Sequence, residues 1–219
     1  MGPADIFHWL AHENARVFAA GKPLEQAALA MVMAHGRGAS APDILTIAIA
    51  LQRPEVAYLA PQAESNAWYP YGFMSPIEQN QPWLDGALGA VDRVAGQALA
   101  AVGAPERLLL LGFSQGGCLM LEYAARNPRR YAGIAALSAG LIGPPGSSLD
   151  HQGSLDGTPA FLGCSDVDPH IPEERVLESA AALERQGAEV TVKLYPGLGH
   201  EVNEDELEHV RRLIDGLPA

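Results

Sequence analysis

The chain has 219 residues, of which 48% are hydrophobic and 18% are charged, and this composition is typical of a globular protein with one well-buried core. Its formal net charge of -12 opposes contact with nucleic-acid phosphates, so we expect no nucleic-acid partner. No apolar run reaches the roughly 20 residues that a membrane-spanning helix needs, so we expect no stable membrane insertion. The N-terminus lacks the basic start of a signal peptide, which favours a cytoplasmic protein.

Short apolar runs recur along the chain and alternate with amphipathic stretches. Five runs are continuously apolar, which is typical of parallel strands that helices cover on both faces. These predicted strands are Ala28 to Ala34, Val56 to Ala60, Leu108 to Gly112, Gly133 to Ser138 and Ala160 to Gly163. A sixth run, residues 189–196, alternates apolar and polar residues and predicts a strand near the edge of the sheet.

Helical patterns lie between and after these strands, and begin near Pro42, Trp83, Pro172 and Asn203. The last one opens with Asn203 and Glu206 in capping-box spacing. This alternation predicts a single α/β domain over residues 1–219, with a mostly parallel sheet and an N-terminal extension over residues 1–22. Reactive groups on such a fold are expected on the loops that follow the carboxyl ends of the strands.

The segment "RLLLLGFSQGGCLMLEYAARNP" places one serine between a predicted strand and a predicted helix. Residues Gly112 to Gly116 fit the G-x-S-x-G nucleophile elbow, in which a sharp turn presents the hydroxyl of the serine, here Ser114, above the sheet. Glycine is needed on both sides of the serine because larger side chains would collide where the strand meets the helix. The alternative is a structural serine in a strand-to-helix turn.

A serine nucleophile needs a base to accept its proton and a carboxylate to orient that base. The loop after the strand near residue 163 reads "CSDVDPHIP", and the loop after residue 196 reads "GLGHEV". We predict Asp168 as the orienting acid and His200 as the general base. Asp166 stays open as a rival acid because it lies only two residues from Asp168.

An oxyanion hole requires two further N–H donors. One is predicted to be the N–H of Gln115, which follows the nucleophile, and the other the N–H of Arg37 in the loop "AHGRGAS". His35 is expected to orient that loop. The remaining histidines are expected at the surface: His8 and His12 are spaced for a metal but lack a third ligand, and His170 is the one able to approach the site.

Four motifs together resemble the small carboxylesterase/phospholipase family, which includes acyl-protein thioesterases. They are "HGRG" (residues 35–38), "GFSQGG" (residues 112–117), "DPHIP" (residues 168–172) and "GLGH" (residues 197–200). The resemblance implies an α/β-hydrolase fold without a large cap domain, ester hydrolysis without metal or cofactor, and a Ser114, Asp168, His200 triad. It favours Asp168 over Asp166 through the proline that follows. Arg37 stands where the family commonly has an apolar residue.

The segment 61–76 is rich in aromatic residues and has neither a helical nor a strand period. We expect it either to pack over the sheet edge or to wall a substrate pocket with Trp68, Tyr69, Tyr71 and Phe73. The predicted function is a serine hydrolase of short to medium acyl esters or thioesters. The alternatives are a dienelactone hydrolase-like enzyme, a lysophospholipase or acyl-protein thioesterase, and a non-catalytic binding module. An exposed aromatic loop or the N-terminal extension could support a homodimer.

Overall fold

The computed structural model describes residues 12–216, and in this part of the chain seven strands form one sheet in the order β1-β3-β2-β4-β5-β6-β7. The strands are β1 Val17–Gly21, β2 Ala30–Ala34, β3 Ala57–Pro61, β4 Leu108–Phe113, β5 Gly133–Leu137, β6 Pro159–Ser165 and β7 Glu189–Tyr195. Every neighbouring pair is parallel except β1 and β3, which are antiparallel. The mostly parallel α/β architecture predicted from the sequence is therefore confirmed.

Helices follow most of the strands. They are α1 Ala41–Leu51, α2 Ile77–Asn80, α3 Trp83–Val102, α4 Gln115–Arg126, α5 Glu173–Arg185 and α6 Glu204–Asp215, with short 3-10 turns at Leu24–Gln26, Glu64–Asn66 and Pro105–Arg107. The predicted capping box of the last helix is confirmed: Asn203 accepts the N–H of Glu206, and Glu206 accepts the N–H of Asn203.

Successive side chains of a strand point to opposite faces of the sheet, and helices cover both faces of the central strands. On β2, Ala30, Val32 and Ala34 pack toward α3 and α4, whereas Met31 and Met33 pack toward α1 and α6. This two-sided burial explains why these strands are continuously apolar in the sequence. Strand β7 lies at one edge, as its alternating pattern predicts.

Strand β1 forms the other edge and lies inside residues 1–22, which are predicted from the sequence as an N-terminal extension. Its five residues pair antiparallel with β3, from Val17 opposite Pro61 to Gly21 opposite Ala57. The N-terminal segment thus contributes to the sheet from residue 17 onward. No helix in residues 12–216 is long and apolar enough to cross a membrane.

Candidate active site

Ser114 occupies a strained turn between β4 and α4. Its backbone has φ 54° and ψ -123°, a conformation that costs a non-glycine residue about 1–3 kcal/mol. A Cβ atom at Gly112 would lie 2.3 Å from the carbonyl oxygen of Gly116, and one at Gly116 would lie 2.1 Å from that of Ala34. The two glycines therefore allow the close contact between strand and helix that holds the serine in this turn.

The structure brings Ser114, His200 and Asp168 into one hydrogen-bonded line. Nε2 of His200 lies 2.9 Å from Oγ of Ser114, and Nδ1 of His200 lies 2.7 Å from Oδ2 of Asp168. Ser114 follows β4, Asp168 follows β6 and His200 follows β7, so the three come from loops at the carboxyl edge of the parallel strands. When Nδ1 of His200 carries the proton and donates it to Asp168, Nε2 is unprotonated and can accept the hydroxyl proton of Ser114.

The Asp168 carboxylate is fully buried and fixed by several donors. Its Oδ1 accepts the N–H groups of His170 at 2.8 Å and Ile171 at 3.1 Å, and Sγ of Cys164 lies 3.8 Å from Oδ2. Burial alone would raise the pKa of Asp168, but the hydrogen bonds from His200, His170 and Ile171 outweigh it and leave the pKa below its usual value. Asp168 is therefore ionised at neutral pH and suited to orient an imidazole.

Asp166 does not contact the imidazole. It is exposed, and its Oδ1 accepts the N–H of Gly197 at 2.8 Å in the loop that carries His200. The structure thus separates the two candidate acids: Asp168 contacts His200 directly, whereas Asp166 holds the backbone of the loop.

Two rings pack against the imidazole of His200. The Phe113 ring lies at 5.0 Å and the His170 ring at 4.8 Å in an edge-on arrangement. His170 is exposed and close to the site, as the sequence analysis allowed. The His200 imidazole is therefore held between the rings of Phe113 and His170.

The loop 35–38 abuts the nucleophile. A Cβ atom at Gly36 would lie 3.4 Å from Cβ of Ser114 and 3.3 Å from the Phe113 ring, so the backbone that leads to Arg37 passes beside the serine. Gln115, the other predicted donor, is the first residue of α4, where backbone N–H groups have no helical partner. The structure therefore places both predicted donor residues next to Ser114.

The side chain of Arg37 fastens the aromatic segment. Its Nη1 donates to the carbonyl of Pro70 at 2.9 Å, and its Nη2 donates to those of Tyr69 at 2.9 Å and Tyr71 at 2.7 Å. The side chain of Gln115 binds the same segment, because it accepts the N–H of Trp68 and donates to the carbonyl of Tyr69. Residues 68–71 are thus tied to the loop 35–38 and to the first residue of α4, on either side of Ser114.

Trp68 is in the core, which corrects its predicted place on the pocket wall. Its side chain is fully buried, its ring lies 5.5 Å from that of His12 and 5.0 Å from that of His35, and its Nε1 donates to the carbonyl of His35 at 2.8 Å. The indole is held inward because its N–H finds a carbonyl there and its ring fills the space between two imidazoles.

His12 is also buried, which corrects its predicted surface position. Its Nδ1 accepts the N–H of Glu64 and its Nε2 donates to the carbonyl of Trp68, both at 3.0 Å. His35 has the same double role, because Nε2 accepts the N–H of Ala63 and Nδ1 lies 2.8 Å from the carbonyl of Gly36. Burial lowers the pKa of both imidazoles, which keeps them neutral. His8 lies outside the described residues.

A cavity of about 330 Å³ opens beside the serine. It is lined by Arg37, Tyr69, Gly72, Phe73, Ser114, Gln115, Cys118, His170, Ile171 and His200. Of the four aromatic residues predicted to wall a pocket, Tyr69 and Phe73 do so. Tyr71 is 55% exposed and is not among the residues that line the cavity, which corrects its predicted place there. The Cys118 thiol is buried, which raises its pKa to about 12 and makes it a poor nucleophile.

Comparison with known proteins shows the family to which this chain belongs. The model of the family described as Phospholipase/Carboxylesterase matches residues 12–217. The chain belongs to this family. Acyl-protein thioesterase 1 of Gibberella zeae is 34% identical over 113 residues, which cover 50% of this chain and 48% of that protein. Acyl-protein thioesterase 1 of Saccharomyces cerevisiae is 30% identical over 132 residues, which cover 58% of this chain and 57% of that protein.

A solved phospholipase/carboxylesterase from Dyadobacter fermentans is similar over nearly its whole length. It is 42% identical, with a TM-score of 0.87, and the match covers 91% of this chain and 96% of that one. The two thioesterase alignments, in contrast, span about half of those proteins. The α/β-hydrolase fold implied by the sequence motifs is thus confirmed by both family and structure.

Several site residues of this phospholipase/carboxylesterase family member escaped sequence reasoning. Cys118 follows Ser114 by one helical turn, so the helix period alone could have placed it on the cavity wall. No sequence pattern indicates that Ile171 lines the cavity or that His12 supports Trp68, because those contacts join segments far apart in the chain.

Proposed function

We propose that this chain is a serine hydrolase that cleaves carboxylic esters or thioesters with short to medium acyl chains through an acyl-enzyme on Ser114. The observation that carries the proposal is the continuous line from Ser114 Oγ through both nitrogens of His200 to Asp168. Family membership supports it independently. Among the described residues that line the cavity, Cys118 is a weaker candidate nucleophile, because burial raises the pKa of its thiol.

The reaction follows from the roles that the geometry allows. Ser114 Oγ attacks the ester carbonyl while Nε2 of His200 takes the hydroxyl proton, and Asp168 stabilises the resulting imidazolium. His200 then returns the proton to the leaving alcohol or thiol as the bond to the acyl carbon breaks. A water molecule, activated by the same imidazole, attacks the acyl-enzyme and releases the acid and the free serine.

The negative charge on the carbonyl oxygen requires donors beside Ser114. We assign this role to the backbone N–H groups of Arg37 and Gln115, and the position of Gln115 at the start of α4 adds the favourable end of the helix dipole. The loss of one such donor typically costs about 3 kcal/mol of transition-state stabilisation. The bonds from the Arg37 and Gln115 side chains to residues 68–71 hold these donors in place.

The cavity supports the short to medium chain length. Its volume of about 330 Å³ lies at the lower end of ordinary ligand pockets, and it is walled by Tyr69, Phe73 and Ile171. The names of the thioesterase relatives indicate acylated proteins as substrates for those proteins. For this chain, lysophospholipid or acylated-protein hydrolysis is the second candidate, and a preference for long acyl chains would support it.

The test is hydrolysis of p-nitrophenyl esters from acetate to palmitate by wild type, Ser114→Ala and Ser147→Ala. We expect a maximum at short or medium chains, a loss on the order of a millionfold in kcat for Ser114→Ala, and unchanged rates for the exposed control Ser147→Ala. More than a few per cent residual activity in Ser114→Ala would refute the assignment. A fluorophosphonate that fails to label Ser114 would favour a non-catalytic binding module.

The remaining features of the whole protein are also proposals. We propose a cytoplasmic protein of one domain that acts on small-molecule esters without metal or cofactor. Activity that is retained in EDTA tests the metal independence, and light scattering tests whether a homodimer forms.

A further inference from the structure

We propose that the preferred substrate of this site carries a negatively charged group, such as a carboxylate, in addition to the ester, and that the guanidinium of Arg37 binds it. This inference rests on the proposed esterase function and adds the class of substrate.

The cavity differs in charge from the rest of the molecule. The chain carries a formal net charge of -12, yet none of the ten described residues that line the cavity is an aspartate or a glutamate. Arg37 carries the permanent positive charge among these lining residues, whereas the imidazole of His200 is paired with the carboxylate of Asp168. An anionic ligand can therefore meet the Arg37 guanidinium without facing a carboxylate on the cavity wall, whereas a cationic ligand would find no carboxylate among these lining residues.

The guanidinium of Arg37 is held in one position. It donates to three backbone carbonyls, those of residues 69, 70 and 71, which lie 32 to 34 residues away along the chain. A guanidinium fixed before binding loses little side-chain entropy when a ligand arrives. Arg37 is thus a prepared binding group and not a mobile surface charge.

In the described part of the chain Arg37 has no carboxylate partner, its guanidinium lies 6.0 Å from the centre of the Tyr69 ring, and two of its donors stay free. Its three partners are neutral carbonyl oxygens, whereas Arg53, Arg126, Arg185 and Arg211 each pair with a carboxylate in the described part of the chain. A guanidinium has five N–H donors, so the three bonds leave two, one on Nη1 and one on Nε. These two N–H groups lie on different edges of the guanidinium, so each can donate a separate charge-assisted hydrogen bond to an anionic oxygen.

The experiment compares ester pairs that differ in charge but hardly in size. For the acyl half, the pair is mono-p-nitrophenyl adipate and p-nitrophenyl 6-oxoheptanoate. For the alcohol half, it is 3-(4-acetoxyphenyl)propanoate and the corresponding amide. Wild type is expected to favour the anionic member of at least one pair by about tenfold in kcat/KM, mainly through KM. Because Arg37 is exposed, the preference should shrink as salt rises from about 50 to about 500 mM.

Variants assign the preference to the guanidinium. Arg37→Gln is expected to lower the ratio of anionic to neutral kcat/KM to about one, whatever happens to the absolute rates. Arg212→Gln removes the same charge from an exposed position on α6 and should leave the ratio unchanged. Arg37→Lys keeps the charge but lacks the fixed N–H groups of the guanidinium and should give an intermediate ratio, which preserves the test if Arg37→Gln fails to fold.

The outcomes separate this inference from the proposed function. Hydrolysis of the neutral esters that depends on Ser114, with no preference for either anionic member, would overturn the inference and leave the esterase intact. A preference that persists in Arg37→Gln would also overturn it. Absence of any ester hydrolysis would count against both.

Discussion

Oδ2 of Asp168 lies 2.7 Å from Nδ1 of His200, and the side chain of Asp168 is fully buried. In Asp168→Asn the amide can present an N–H group in place of an acceptor and favour the wrong imidazole tautomer. We expect kcat for a p-nitrophenyl ester to fall about 10⁴-fold, as in other hydrolases with this arrangement. Steady-state kinetics at pH 8 measure the loss.

Asp166→Asn is the matched control for that variant. The asparagine retains an oxygen that can accept the N–H of Gly197, so the loop keeps its support and kcat should fall less than tenfold. A larger loss in Asp166→Asn than in Asp168→Asn would reverse the assignment of the acid.

Gly116 faces the carbonyl oxygen of Ala34 with no room for a side chain. In Gly116→Ala the new Cβ would lie 2.1 Å from that oxygen, and both atoms belong to the buried junction of β2 and α4. We expect a loss of stability of more than about 3 kcal/mol or a failure to accumulate folded protein. Urea unfolding monitored by circular dichroism provides the measurement.

Gly89 offers the opposite case on the same protein. It lies inside α3, and a Cβ there would meet no atom within 4 Å. Gly89→Ala should therefore stabilise the protein by about 0.5–1 kcal/mol through the better helix propensity of alanine. Destabilisation of both variants by similar amounts would contradict the steric argument.

The elbow glycines show why this part of the site can be predicted from sequence. A nucleophile on a strained turn needs residues without side chains two positions before and two positions after it, so the constraint is local and visible as G-x-S-x-G. The buried strands are equally visible, because two-sided burial leaves continuous apolar runs. Strand β1 is different: its five residues VFAAG are also apolar, but the run is short, Val17 and Gly21 are exposed at the sheet edge, and its antiparallel pairing with β3 depends on a segment about 40 residues away.

The aromatic segment shows where such prediction ends. Its composition suggests a pocket wall, but which rings face the cavity depends on partners elsewhere in the chain. The indole of Trp68 points inward because it donates to the carbonyl of His35. Arg37 binds the carbonyl of Tyr71, and the ring of Tyr71 stays exposed. These are long-range hydrogen bonds between irregular segments. They carry no periodicity, and only the folded structure reveals them.

His12 makes the segment 63–68 sensitive to acid. Burial lowers its pKa below 6.5 in the folded protein, so the unfolded chain binds more protons as the pH falls below 6.5. Stability from this group is full above that pH and declines from there down to the folded pKa, by up to about 1.4 kcal/mol per pH unit. His12→Gln should remove this slope in urea unfolding at pH values from 5 to 8.

A difference measurement is needed because Glu206 acts in the opposite direction. Burial raises the pKa of its carboxyl from 4.5 to about 7, so its contribution to stability falls as the pH rises through that interval. Subtracting the pH profile of His12→Gln from that of wild type cancels the Glu206 contribution. Identical slopes in the two proteins would show that His12 does not titrate as proposed.

Phe73 lines the cavity and is 9% exposed, so its ring is positioned to limit the length of a bound acyl chain. Phe73→Ala removes that wall, and we expect the p-nitrophenyl ester of highest kcat/KM to become longer by two or more carbons. The variant should also lose about 3 kcal/mol of stability, so the assays belong well below its unfolding temperature.

Trp68→Phe separates an effect on the pocket from an effect on the segment. It leaves the cavity wall in place but removes the N–H donor to the carbonyl of His35, which should cost about 1–3 kcal/mol of stability without a change in chain-length preference. Thermal unfolding and the ester series distinguish the two variants. No shift with Phe73→Ala would mean that the acyl chain lies elsewhere in the cavity, against Ile171 and His170. A shift with Trp68→Phe would mean that the indole shapes the cavity through the segment, which would contradict the separation of the two effects.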